Sequence, residues 1–142
     1  MLKVLIAEDD LMIADAAEGA LVEGGYEVCG IARTVAEAVE LGRLHKPDLA
    51  VIDMRLADGG FGSEIASQLN ALGRLGVLYA TGNTALLTQT SAEGEACIVK
   101  PYSSAALVRG LEIVSDIVAT GTSSAPFPRG FQLLPLPVHK DA

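Results

Sequence analysis

Four short runs of unbroken hydrophobicity, each ending abruptly in polar or small residues, constrain this chain most: Leu2 to Ala7, Leu49 to Ile52, Gly76 to Ala80 and Ala96 to Val99. A strand with one wet face alternates apolar and polar residues; a run with no alternation is buried on both faces, as in a parallel sheet sandwiched between helices. A fifth, weaker run spans Glu27 to Ala32. Between the runs lie helical patterns with readable ends. Asp10 to Glu23 carries Leu11, Ile13, Ala17, Ala20 and Leu21 toward a core and stops at Gly24-Gly25, where glycine tolerates a left-handed cap. Thr34 followed by Glu37 forms a capping box for a helix running to about Lys46 and halted before Pro47. Gly62 to Leu72 reads as a third helix, and Ser103 caps a last one whose Leu107, Leu111, Val114 and Val118 form one stripe.

Asn83 to Gly94 is the weak link, because Thr84, Thr88, Thr90 and Ser91 are poor helix formers. A short, frayed fourth helix or a loop is expected there. Strand and helix alternating five times give an α/β fold, a doubly wound five-stranded parallel sheet with right-handed crossovers, strand order 2-1-3-4-5 and helices on both faces. One core suits 142 residues that are 50% hydrophobic. Residues 1–120 are expected to form it, and 121–142 a Pro-rich tail without an output domain. Four of the six prolines (Pro126, Pro128, Pro135 and Pro137) fall in that tail. It reads as a flexible segment of polyproline character, with the alternative that Phe131, Leu133, Leu134 and Leu136 form an apolar strip docking on this chain or on another copy.

Charge excludes whole classes of function. A net charge of -8 argues against nucleic acid or an anionic membrane as partner and suits a cation or a basic surface. No apolar run approaches a membrane span, and Glu8-Asp9-Asp10 interrupts the start before a signal-peptide core could form, so a cytoplasmic location is expected. Cys29 and Cys97 lack both metal-ligand spacing and disulfide density; they read as free buried thiols on opposite sheet edges. His45 and His139 stand apart from any nucleophile and read as surface residues.

In an open parallel sheet, ligands bind beyond the carboxyl ends of the strands where strand order reverses. Here the first strand runs into Glu8-Asp9-Asp10 and the third into Asp53, so the fold gathers carboxylates in one crevice. Unpaired, they raise one another's pKa; an all-oxygen site partly filled by water suits Mg²⁺. The fourth strand delivers Thr81 and the fifth Lys100 to the same rim. A cation, an ammonium and a hydroxyl beside a carboxylate describe a phosphoryl-transfer site, where the protein positions the nucleophile and neutralises phosphoryl oxygens. Asp10 reads as a helix start, and Asp58-Gly59-Gly60 as a turn.

The strings Val4-Leu5-Ile6-Ala7-Glu8-Asp9-Asp10, Asp48-Leu49-Ala50-Val51-Ile52-Asp53, Ala80-Thr81-Gly82 and Val99-Lys100-Pro101 together resemble the receiver domain of two-component response regulators, with its flavodoxin/CheY-like fold. Four strings in order, each closing an expected strand, are far more specific than any one alone. The resemblance implies a single-domain response regulator and phosphoprotein rather than a dedicated enzyme. It implies that Asp53 is the phosphoacceptor and that Glu8 and Asp9 bind Mg²⁺ directly or through water, with Asp53 and the backbone carbonyl of Arg55 completing the shell. It further implies that Lys100 pairs with Asp53 or its phosphoryl group, that Thr81 moves toward that group, and that the Lys100-Pro101 bond is cis. Phosphate would come from a sensor histidine kinase or phosphotransfer protein, and output would be contact with a downstream protein or phosphorelay.

Departures from the family pattern are informative too. Cys97 stands where the family carries a switch aromatic, and Ala57 stands near the place of a common proline. The stretch Gly76-Val77-Leu78-Tyr79-Ala80-Thr81-Gly82-Asn83 is similar to the FATGUY subclass of alphaproteobacterial receivers, which implies a short or unsettled fourth helix and kinases of the HWE or a related type. Three other readings compete for the same residues. A flavodoxin-like carrier needs a Ser/Thr/Gly-rich phosphate loop where this chain has acids, and a haloacid-dehalogenase-like phosphatase needs a second Asp at position 55, which is Arg. The remaining alternative is a pseudo-receiver that binds partners without phosphorylation; the crowded acids speak against it, since such crowding is costly without a metal to serve.

Overall fold

The computed structural model describes residues 1–90 and 92–136; Ser91, Pro137 and His139, on which expectations were placed, lie outside the described residues. The elements run β1 (Lys3–Ala7), α1 (Leu11–Glu23), β2 (Glu27–Ala32), α2 (Val35–His45), β3 (Leu49–Asp53), α3 (Gly62–Asn70), β4 (Gly76–Thr81), α4 (Ala85–Gln89), β5 (Ala96–Val99), α5 (Ser104–Thr120) and β6 (Phe131–Leu133). The sheet order is β2-β1-β3-β4-β5-β6, parallel from β2 to β5 with β6 antiparallel to β5. The α/β class and the order 2-1-3-4-5 stand, with one strand added.

Local chemistry sets the helix ends. The Asp10 carboxylate accepts from the N–H groups of Met12 and Ile13, the Thr34 hydroxyl from Glu37 N–H and the Ser103 hydroxyl from Ala106 N–H, satisfying donors that the first turn leaves unpaired. After α1 the chain turns through Gly25 at φ 94°, and α5 ends on Gly121 at φ 78°, a region glycine enters without steric cost. The Asp58 turn forms as expected: its carboxylate accepts from Gly60 N–H at 3.0 Å, with Gly59 at φ 80°.

Unbroken hydrophobicity produces two apolar layers. Leu5, Ile52, Val77, Tyr79 and Cys97 face α2 and α3 on one side of the sheet; Val4, Ile6, Val51, Leu78 and Ile98 face α1 and α5 on the other. Burial of both faces is what fixes the strands in register.

Three expectations change. The segment after Gly121 is not polyproline throughout: Phe131 and Leu133 turn toward α5, while Leu134 and Leu136 reach the opposite layer. The apolar strip docks on this chain's own β5. Consequently β5 is not an edge strand, and Cys97 does not lie on the rim opposite Cys29. Cys29 is only half-buried, whereas Cys97 is fully buried; both are free thiols.

Candidate functional site

β1 and β3 are neighbours in the sheet, with Ala7 paired to Ile52, so the residues that leave their carboxyl ends, Glu8 and Asp53, must face one crevice. Glu8, Asp9 and Asp53 each offer a carboxylate oxygen within 4.8 Å of the others. Three acidic oxygen donors on so small a footprint fit a hard divalent cation that keeps part of its water shell. Glu8 is the buried member, 4% exposed.

β5 brings the compensating charge. The Lys100 ammonium donates to Asp53 Oδ2 at 3.1 Å and to Glu8 Oε1. Lys100 thus bridges two carboxylates, not only the one expected. Burial pushes the Glu8 carboxyl up to about 7, the Lys100 hydrogen bond opposing that rise and the neighbouring Asp53 adding to it. The Lys100 ammonium is held above its ordinary range because its contacts with Glu8 and Asp53 outweigh its own desolvation.

The other Asp53 oxygen, Oδ1, accepts from Arg55 N–H at 3.4 Å. Arg55 pairs with Phe61 across the β3–α3 loop through bonds made by their neighbours, Leu56 N–H to Gly60 O and Gly62 N–H to Met54 O, a bridge that does not use the Arg55 carbonyl. Thr81 is buried at the end of β4. Its hydroxyl faces its own loop, accepting from Asn83 N–H at 3.1 Å and donating to Asn83 O at 3.3 Å. Lys100-Pro101 is cis. Cys97 lies inside the sheet beside Tyr79 of β4, away from the acidic cluster.

Two features escaped the sequence reading. Glu8 is as much a partner of Lys100 as a metal donor, a pairing that strand order implies once β1 and β5 both end at the rim. Gly62 has no side chain for a steric reason: a Cβ there would lie 2.3 Å from the Asp53 carbonyl oxygen and 2.5 Å from Ile52 Cγ2. A glycine opening a helix soon after the key carboxylate was the available signal.

The sequence matches the family described as response regulator receiver domain over residues 4–112. The chain belongs to that family. Among curated relatives it is 39% identical over 115 residues to the transcriptional regulatory protein PdtaR of Mycobacterium tuberculosis, covering 78% of this chain and 55% of PdtaR. It is 38% identical over 106 residues to the phyllosphere-induced regulator PhyR of Methylorubrum extorquens, covering 72% of this chain and 39% of PhyR. The match thus spans about half or less of these relatives. Among solved structures, the receiver domain of Erythrobacter litoralis PhyR superposes with a TM-score of 0.72 at 25% identity, over 88% of this chain and 94% of that one. Bartonella quintana PhyR, described as an anti-anti-sigma factor, gives a TM-score of 0.63 at 30% identity, over 72% of this chain and 43% of that one.

Receivers are signalling modules of two-component systems rather than dedicated enzymes. They typically bind Mg²⁺ in an acidic pocket and interact with histidine kinases or phosphotransfer proteins. Among the described residues, no helix is long and apolar enough to cross a membrane.

Proposed function

We propose that this receiver accepts a phosphoryl group on Asp53 from a histidine kinase or phosphotransfer protein and signals, in the cytoplasm, by protein contact or phosphorelay. The observation that carries the reading is the Lys100 ammonium standing between Glu8 and Asp53 beside a third carboxylate, that of Asp9. This is a nucleophile with its charge compensation already assembled.

In the forward step an Asp53 oxygen attacks phosphorus, the bond to the donor nitrogen breaks, and the imidazole leaves with the electron pair of that bond. The product is an acyl phosphate on Asp53. Arg55 N–H holds Oδ1 and Lys100 holds Oδ2, which fixes the plane of the attacking carboxylate. Glu8, Asp9, Asp53 and the Arg55 carbonyl would hold Mg²⁺. When bound, it supplies positive charge against phosphoryl oxygens that would otherwise be repelled by the acids. Lys100 shifts from Glu8 toward the new phosphoryl group, and Thr81 turns its hydroxyl from Asn83 to the same group.

The donor has an apolar footing next to this crevice. Leu11 and Met12, at the start of α1, are 53% and 84% exposed, and Met12, Ile13 and Leu107 line a groove of about 500 Å³ that reaches Lys100 and Pro101. The FATGUY-like stretch and the five-residue α4 support a kinase of the HWE type as that donor.

Incubation with Mg²⁺ and acetyl phosphate, followed by intact mass, tests the reading. A single phosphoryl adduct is expected, absent in Asp53→Asn and absent with a chelator. An adduct that survives in Asp53→Asn refutes the assignment. Failure of the native protein to form one would favour the pseudo-receiver reading, which has one observation of its own: Lys100 pairs with both Glu8 and Asp53 and so compensates part of the acidic charge.

A further inference from the structure

β6 is thin for the surface it covers. It spans three residues on the sheet edge, with Gln132 exposed, and its ends are tied to β5 by Val99 N–H to Gly130 O at 3.1 Å and Leu134 N–H to Glu95 O at 3.0 Å. Beside it on β5, in register with Gln132, is Cys97, 0% exposed. α4 covers little of that side of the sheet, and Leu134 and Leu136 pack into the same layer as Cys97, Leu86 and Leu87.

The seat for β6 is shaped to fit. A Cβ on Gly110 of α5 would lie 3.2 Å from Phe131 Cδ2, so the missing side chain makes room for the aromatic ring. Phe127 tilts against the same ring at 5.1 Å. Arg109 holds the approach by donating to Ser124 O at 2.9 Å and Pro126 O at 3.2 Å.

One end of this attachment adjoins the phosphoacceptor site, and the other is tied to β4. Val99 precedes Lys100, whose ammonium contacts Asp53 and whose N–H donates to Thr81 O at 3.0 Å. At the other end, Glu95 belongs to the loop held by Tyr79. The buried Tyr79 hydroxyl donates to Glu93 O at 2.5 Å, and its ring fills the space where a Cβ on Gly94 would lie, 2.7 Å from Cε2. Tyr79 stands two positions before Thr81 on β4. A move of Thr81 and Lys100 toward a phosphoryl group therefore pulls directly on Val99, and through Tyr79 of β4 on the loop that carries Glu95.

Resting on the phosphoacceptor reading above, we propose that β6 is a detachable strand. Phosphoryl capture at Asp53 releases it, and the freed β5 edge becomes the docking surface for an extended apolar segment of a partner protein carrying an aromatic residue for the seat over Gly110. An uncovered edge presents the Val99 N–H and Glu95 C=O unpaired, the arrangement that accepts an added strand. The occupant's chemistry is that of β6 itself, a main-chain ladder plus one buried ring.

Cys97 is the reporter. In a Cys29→Ser protein, maleimide labelling of Cys97 is expected to rise roughly tenfold or more on phosphorylation, because the rate follows the fraction of time that the strand is open. Phe131→Ala, and independently Gln132→Pro, which removes a ladder N–H at an exposed position, should raise the rate without any phosphodonor. A labelled peptide of the sequence of residues 127–136 should then bind both the phosphorylated protein and the opened variants, and not the unmodified protein.

If neither variant speeds labelling, β6 is not the cover and the proposal falls. If the variants open Cys97 but protein shown by mass to carry the adduct labels at the unmodified rate, the coupling is overturned while the phosphoacceptor reading survives. If no adduct forms, that reading fails and the coupling with it, while the docking edge is still decided by the variants and the peptide. Dimerisation of the opened protein by size-exclusion chromatography, or failure to bind the peptide, overturns docking of a foreign segment.

Discussion

The two flanks of the sheet are covered by different means. β2, β1 and β3 are enclosed by α1 on one side and by α2 and α3 on the other, helices of 13, 11 and 9 residues. β4, β5 and β6 have the 17-residue α5 on one side; on the other, among the described residues, the five-residue α4 and the side chains of Leu134 and Leu136 supply much of the cover over β5. The first flank carries Glu8, Asp9 and Asp53, which cluster at the carboxyl rim; the second carries Thr81 and Lys100, which move in the proposed phosphorylation. Close-packed helices hold geometry within tenths of an ångström, whereas a short helix and a thin strand are the inexpensive parts to rearrange.

The sharpest way to break this comparison is to make a cavity on each flank. Ile52 is fully buried beside Asp53, so Ile52→Ala should cost about 2–5 kcal/mol in chemical denaturation. Leu134 is half-buried, and Leu134→Ala should cost under about 1 kcal/mol, its surroundings being free to collapse. Equal losses would mean that the second flank is as rigid as the first.

Lys100 joins the flanks, and its removal should be felt in rate. Lys100→Met leaves Glu8 and Asp53 facing one another without the ammonium, and adduct formation from acetyl phosphate should slow roughly 100-fold, the size expected for loss of one preorganised charge. An unchanged rate would assign Lys100 to stability alone. Next in size is Gly62→Ala, which sets a methyl group against the Asp53 carbonyl and Ile52. Overpacking there should cost about 1–3 kcal/mol and, by shifting the loop, slow the adduct as well; a change in stability without a change in rate would separate the loop from the site.

The same division explains what was legible in the residues alone. Runs such as Leu49 to Ile52 and the caps Asp10, Thr34 and Ser103 are local signals, and they placed the first flank and α5 within a residue or two. The crevice was legible because parallel order forces strand ends together. β6 was not legible: Phe131-Gln132-Leu133 alternates as a strand should, but three residues among prolines carry little weight until Gly110 and the β5 edge provide a seat. Tyr79 likewise looked like core, because its hydrogen bond to Glu93 depends on how a loop with no periodicity closes.

The smallest effect concerns Glu95, which meets Val77 through two bonds: its N–H donates to Val77 O at 3.2 Å, and its carboxylate accepts from Val77 N–H at 3.2 Å. Burial raises its carboxyl above the ordinary range, the Val77 hydrogen bond and nearby Arg74 opposing that rise. A carboxyl that holds its proton more tightly folded than unfolded makes the folded state bind more protons between the two pKa values, so stability falls as pH rises across that interval and levels off above it. Glu95→Gln should remove that slope, seen as urea midpoints that decline less from mildly acid to neutral pH than those of the native protein. Because the Glu95 carbonyl also anchors Leu134, releasing β6 admits water to this corner and should shrink the same slope in phosphorylated protein. A slope identical in all three would place Glu95 outside the movable flank.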